Sequence, residues 1–348
     1  MNATSAGTSP HVLFVALYNG DSFLGNLERT CHHLNASGTS HAPVQFHAFV
    51  NKVVARAPAW LRQHDLASMP EDAQAQHHNL SRHKPRGASV FLWKAFLYRL
   101  IPVAKLIVLD LDVALVGGAK IHGLWSQFDA FGPHEVLGVV PEQGPTYGKS
   151  TIGYNGGVQL HHLERMRASG LASAAATSST FGETLRGYAS GSYAGWDRTE
   201  PNLGDQTLYT HLCHKEPHLC HSLPCGWNRQ MSTRYYSAHD FTSKWHACPS
   251  RCKLLHFNQP LLEGIVPVLQ TANRPSSCAE CRAALAGLEN RTRSSGSRNP
   301  KFMWGASKVY MARMIDSCCC PAPVSEGPTA VRIRKTGAMH GDAATATD

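Results

Sequence analysis

An α/β layer fold with a mostly parallel central sheet is what this 348-residue chain predicts. Three observations carry that prediction. Strand-like and helix-like segments alternate along the chain up to about residue 260. The first fifty residues read as a complete β-α-β unit. A composition of 43% hydrophobic and only 16% charged residues supplies a sizeable core and excludes a chain disordered throughout.

The elements follow in order. HVLFVA after Pro10 is a short apolar run that ends near Asn19-Gly20, a buried strand feeding a loop. Residues 22–34 have helical spacing, and Val44 to Val50 is the second strand. Residues 65–88 are polar, contain two prolines and predict a loop. A helix over Val90 to Leu100, stopped by Pro102, leads into a strand at Lys105 to Asp110 and a turn at Gly117 and Gly118. Later strands are expected at Val136 to Val140, Tyr154 to Leu160 and Lys253 to Phe257, with helices near 162–169 and 203–213. Residues 168–200, rich in Ala, Ser, Gly and Thr, predict a poorly packed insert with a helix inside it. The expected division is one domain over 10–265 and a Cys-containing, mostly irregular extension over 266–348.

Charge narrows the function. The net +9 is uneven, with 11 basic against 6 acidic residues after position 265. No Lys/Arg stripe with interleaved aromatics is present, so no nucleic-acid partner is expected. No apolar run reaches the roughly 18 residues that span a bilayer, and membrane association is expected only through a segment outside this sequence. Eleven cysteines and four glycosylation sequons, at Asn2, Asn35, Asn79 and Asn290, favour an oxidising compartment. The start MNATSAGTSP has neither a basic region nor an apolar stretch of signal-peptide type.

The strongest chemical signal is LIVLDLDVAL, an apolar strand delivering Asp110 and Asp112. Period-two alternation puts both on one face, with Cα atoms about 7 Å apart. Two such carboxylates repel unless a cation joins them, so a divalent metal is the expected third party. A phosphohydrolase of the haloacid dehalogenase type also carries an Asp pair, but expects Thr or Ser where Ala114 stands. A nucleotide-sugar transferase, holding Mn²⁺ or Mg²⁺ against a diphosphate, is the other reading.

Six segments resemble glycosyltransferase family 8 in register, and within it the glucoside xylosyltransferases: PVQFHAFV, LIVLDLDVAL, YGKSTIGYNGGVQLHHLERMR, LGDQTLYTHL, LPCGWNRQ and CKLLHFNQP. The resemblance covers about His11 to Pro260 and implies a GT-A fold, a Rossmann-type nucleotide-sugar transferase domain. It implies that Asp110, Asp112 and His256 ligate Mn²⁺ or Mg²⁺, with Asp110 also touching the nucleotide. Tyr18 and Asn19 resemble the uridine-binding loop, and Lys94 occupies the position of a basic residue directed at the nucleotide sugar. Asn155 would bond sugar hydroxyls, while Gly156 and Gly157 allow close approach to the backbone; glycines inside a strand need such an approach or a bulge to explain them. Asp205 and Gln206 would lie at the reacting sugar as the catalytic pair.

The implied activity is retaining transfer from a UDP-sugar to a glycan or glycoprotein in the lumen of the Golgi or endoplasmic reticulum. Xylose is favoured over glucose, galactose and N-acetylglucosamine; a non-catalytic sugar-nucleotide binder is the alternative of another class. The Gly and Lys that many family members carry directly after the metal histidine are not in place in HFNQPLLEG, as in the xylosyltransferase branch. That branch also implies a Cys248–Cys252 disulfide; a Cys₄ zinc site with Cys278 and Cys281 is the other option. Cys318, Cys319 and Cys320 acquire no role.

Overall fold

The computed structural model describes residues 9–16, 21–35, 43–51, 53–82, 90–143, 153–168, 181–190, 203–230, 248, 250–257 and 279. Its centre is a seven-stranded sheet in the order β3-β2-β1-β4-β7-β6-β8. The strands are β1 His11–Ala16, β2 Gln45–Val50, β3 Leu61–Asp65, β4 Leu106–Leu109, β6 Leu137–Pro141, β7 Tyr154–His161 and β8 Cys220–Ser222. β3, β2, β1 and β4 run parallel, β7 is antiparallel to both β4 and β6, and β8 is parallel to β6. A small second sheet joins β5 Val113–Leu115, β10 Leu254–His256 and β9 Arg229–Gln230.

Both faces of the large sheet are buried, as a parallel sheet requires. One face sets Leu13, Phe49, Val108 and Val139 against Leu97, Leu208 and Leu212, from α3 Leu97–Leu100 and α7 Asp205–Lys215. The other sets Val12, Phe14, Phe46, Ile107 and Leu160 against Leu27, Leu34 and Trp125, from α1 Asp21–Asn35 and α4 Ile121–Trp125. Alternate residues of β1, β2 and β4 thus divide between two cores.

The predicted strands and the helices at α1, α7 and α5 Leu163–Ala168 stand close to their expected positions. Residues 90–100 coil as expected but wind as a 3₁₀ stretch over Leu92–Phe96 before α3. The predicted loop at 65–88 is a correction: it holds the end of β3, a 3₁₀ turn at Leu66–Ser68 and α2 Glu71–Ser81. Pro70 precedes α2 in an extended conformation, and Glu71 and Asp72 complement the helix dipole in its first turn. Only Ala73 and Leu80 of α2 are buried, too sparse a stripe to register as a period. The helix expected inside 168–200 is α6 Phe181–Ala189, and it is well packed: Phe181, Leu185 and Tyr188 enter the core, with Phe181 edge-on to Tyr98 at 5.8 Å. Residues 169–180 and 191–200 of that insert, and the chain from residue 258 apart from Ala279, lie outside the described residues.

The disulfides also differ from expectation. Cys213 pairs with Cys220, and Cys248 pairs with Cys225 rather than Cys252. Chain approach decides this: Gly226 N–H donates to Ser250 Oγ at 2.7 Å, and a Cβ on Gly226 would fall 2.0 Å from the Arg251 carbonyl oxygen. Cys225 and Cys248 are thereby brought to a Cα separation of 5.6 Å. Cys252 is disulfide-bonded as well, so the Cys₄ zinc alternative loses two of its four thiolates.

Candidate active site

Topology assembles the site at the carboxyl end of β4. Because β7 runs antiparallel to β4, its first residues return beside the last residues of β4, and Asp110 N–H donates to Gly157 O at 2.9 Å. Asp112 sits in the turn into β5, where its carbonyl accepts from Phe257 N–H at 2.8 Å. The β5–β10 pairing then lays His256 opposite Val113. Two hydrogen bonds therefore clamp the acidic loop between strands that are about 45 and 145 residues away in sequence.

The side chains of Asp110, Asp112 and His256 converge, each offering a ligand atom within 4.8 Å of the others. His256 Nε2 lies 3.6 Å from Asp110 Oδ2 and 3.4 Å from Asp112 Oδ1. His256 is 3% exposed, whereas the carboxylates are 29% and 30% exposed, so the cluster opens to solvent on its acidic side. Two carboxylate oxygens and one imidazole nitrogen, with an open side for diphosphate oxygens, are donors suited to Mn²⁺ or Mg²⁺. Burial lowers the basicity of His256, but Asp112, Asp110 and Glu142 outweigh it, and its pKa lies above the ordinary histidine value.

The two glycines of YNGGVQL earn their place sterically. A Cβ on Gly157 would stand 2.1 Å from His256 Cε1, and one on Gly156 would stand 3.0 Å from Asp205 Oδ2. Pairing with β6 also jumps from Gln159 to Asn155 at this point, a bulge that turns the glycines toward the site. Close approach and bulge are both present.

Lys94 is not a surface lysine. Its side chain is 1% exposed, and its ammonium donates to Asp110 Oδ1 at 3.0 Å and Gly156 O at 2.9 Å, with Asp205 Oδ2 at 3.2 Å. Burial lowers its pKa, but the two carboxylates prevail and hold it above the ordinary lysine value. Asp205 follows Gly204, whose φ of 66° suits glycine, and its carboxylate turns into the site instead of capping α7. Burial raises the Asp205 pKa to about 6 despite Lys94. Gln206 Oε1 accepts from Gly156 N–H at 3.3 Å, and Gln206 Nε2 donates to Glu142 Oε2 at 2.7 Å.

Lys94, Asp110, Asp112, Asn155, Gly156, Gly157, Asp205, Gln206 and His256 are therefore brought together. Tyr18 and Asn19 lie outside the described residues. Three buried participants had no sequence assignment: Glu142, Gln159 and Asn228. Glu142 follows β6 as Asp110 follows β4, and the same rule of an acid at the end of an apolar strand would have found it. Desolvation raises its pKa. Gln159 bridges Asp205 and the Gly156 carbonyl. Asn228 bridges Asn155 and His256. Amides carry no comparable signal, since any strand or turn can hold one.

No family model matches the chain. Human xyloside xylosyltransferase 1 is 26% identical over 223 residues, which cover 56% of this chain and 54% of that protein. Mouse xylosyl- and glucuronyltransferase LARGE2 is 29% identical over 185 residues, covering 49% of this chain and 24% of the relative. The chain thus spans about half, or less, of the length of the curated relatives it matches. The crystal structure of mouse xyloside xylosyltransferase 1 in its apo form superposes with a TM-score of 0.59 at 21% identity, over 72% of this chain and 98% of that one. The fold is that of the GT-A glycosyltransferases. In sequence the chain is similar to the xylosyltransferase and LARGE enzymes of glycosyltransferase family 8.

Proposed function

We propose that the protein is a metal-dependent retaining glycosyltransferase that moves a sugar, xylose by preference, from a UDP-sugar to a glycan or glycoprotein acceptor. The observation that carries this reading is the meeting of Asp110, Asp112 and His256 beside the buried Lys94–Asp205 pair at the end of β4. Ligands in open α/β sheets bind at such carboxyl edges. The preference for xylose rests on the xylosyltransferase relatives.

Asp110, Asp112 and His256 would hold Mn²⁺ or Mg²⁺, which supplies charge stabilisation to the departing diphosphate. The remaining work falls to the chain itself. Gln206, pinned to Glu142 and to Asn155, presents its amide to the transferred sugar, and Asn155, whose own hydrogen bonds are filled within the protein, holds Gln206 in place beside it. Asp205 places a carboxylate beneath the sugar, kept in place by Lys94 and Gln159. The acceptor hydroxyl attacks on the face the leaving group vacates: the bond from the anomeric carbon to the diphosphate oxygen breaks, the bond to the acceptor oxygen forms, and the acceptor proton passes to that diphosphate oxygen. A fixed amide and a carboxylate aimed at the positive sugar stabilise that transition state more than the ground state. Tyr18 and Asn19 are assigned to the uridine.

The phosphohydrolase reading has less support, because Ala114, where it needs a hydroxyl, is fully buried in β5. A lumenal, oxidising location fits the Cys213–Cys220 and Cys225–Cys248 disulfides and the exposed sequon residues Asn35 and Asn79. No helix among the described residues is long and apolar enough to cross a membrane.

The test is a screen of UDP-xylose, UDP-glucose, UDP-galactose and UDP-N-acetylglucosamine for hydrolysis or transfer, with Mn²⁺ and with excess EDTA. UDP release from UDP-xylose that EDTA abolishes is the expected result. Full activity in EDTA would remove the metal from the mechanism, and no turnover of any donor would favour the non-catalytic binder.

A further inference from the structure

We propose that Asn228 is a positioning residue that sets the tautomer of His256 and ties it to Asn155, so that the metal end and the sugar end of the site share one chain of hydrogen-bond polarity. The proposal deepens the function above, since it rests on the roles given there to His256 and Asn155.

The chain starts at a group that has no choice. The backbone N–H of Gly157 can only donate, and it meets Asn155 Oδ1 at 3.0 Å. Asn155 must therefore keep its oxygen on that side, which leaves Nδ2 to donate to Glu142 Oε2 at 3.2 Å and Gln206 Oε1 at 3.4 Å. Asn228 approaches the same Asn155 oxygen at 2.8 Å, so it must present its NH₂ group there. Its carbonyl then faces His256 Nδ1 at 3.1 Å and demands a proton on that nitrogen. His256 is left with Nε2 as its only available lone pair, on the side of Asp110 and Asp112. Asn228 is fully buried and, among the described residues, its side chain hydrogen-bonds these two partners, so it acts through them and not on substrate.

Two substitutions separate its two bonds. Asn228→Leu removes both. Asn228→Asp keeps an acceptor for His256 Nδ1–H but opposes an oxygen to Asn155 Oδ1, which Asn155 cannot relieve by turning over without facing NH₂ to the Gly157 N–H. Mn²⁺ binding without donor is followed by electron paramagnetic resonance, with the imidazole ¹⁴N coupling read from spin-echo modulation. Donor kinetics are followed at saturating Mn²⁺.

For Asn228→Leu the expected result is a Mn²⁺ Kd raised about 10- to 100-fold and loss of the ¹⁴N coupling. For Asn228→Asp it is a near-native Kd and coupling with a clearly raised donor KM. A folded Leu variant with native Kd and coupling overturns the proposal. So does an Asp variant that loses the coupling or keeps native donor KM, and this arm holds even where the Leu variant does not fold. Metal binding is read without turnover, so a failed donor screen and a failed tautomer assignment remain distinguishable.

Discussion

Two buried histidines, His47 in β2 and His256 in β10, are shifted in opposite directions by their surroundings. His47 lies in a row of imidazoles across three parallel strands, 3.0 Å from His11 and 2.9 Å from His64 between ring nitrogens. Burial, the other two rings and Arg62 depress its pKa to about 3. His256 is as deeply buried, yet the carboxylates of Asp112 and Asp110 raise its pKa. Burial penalises charge in both places; only the second region supplies opposite charge to offset it. The histidine row is a neutral structural network, whereas the site sets His256 and Lys94 beside carboxylates of opposite charge.

The largest expected effect lies on the charged side. Asp112→Asn or His256→Ala should abolish turnover of the UDP-sugar, a loss of several kcal/mol of transition-state stabilisation, while circular dichroism stays native. An active His256→Ala enzyme would mean that the triad is not the metal site.

Next in size, Lys94→Met should destabilise the fold by about 3–5 kcal/mol, because it strands the buried Asp205 carboxylate. The double variant Lys94→Met/Asp205→Asn should recover part of this in urea unfolding. Equal loss in both variants would show that Lys94 contributes packing rather than charge.

The pH dependence tests the comparison directly. His47 has a folded pKa of about 3 against an unfolded value near 6.5. The unfolded chain binds the extra proton, so the stability is present above pH 6.5 and is lost as pH falls toward 3. The slope is at most about 1.4 kcal/mol per pH unit for one histidine. His47→Gln should flatten the acid limb of thermal midpoint against pH. His256, with its raised pKa, has the opposite sign in metal-free protein: its contribution is present below pH 6.5 and is lost on going more alkaline. His256→Gln should therefore flatten the alkaline side, and identical profiles for the two variants would erase the distinction.

The smallest effect is expected from truncation after residue 325. The proposed domain boundary near residue 265 predicts little change in turnover or thermal midpoint. A large drop in midpoint would put the tail inside the fold.

Much of this protein was legible in its amino-acid order. Periodicity and punctuation located the strands where hydrophobic runs were long, as in β1, β4 and β7, and the LDLD run pointed to a cation by charge alone. The family resemblance added His256, which composition would have left among 21 histidines. Sparse elements such as α2 and the edge strand β3 stayed hidden, because each buries too few side chains to mark a period. What only the tertiary structure decided was who meets whom. Cys248 joins Cys225 because Gly226 lets two distant segments touch. Lys94 becomes a buried bridge because β7 runs antiparallel to β4 and brings the Gly156 carbonyl beneath it. Asn228 acquires its polarity from a backbone N–H on another strand. Hydrogen-bond direction and burial are properties of neighbours, and neighbours far apart in sequence are chosen by the packing of the sheet.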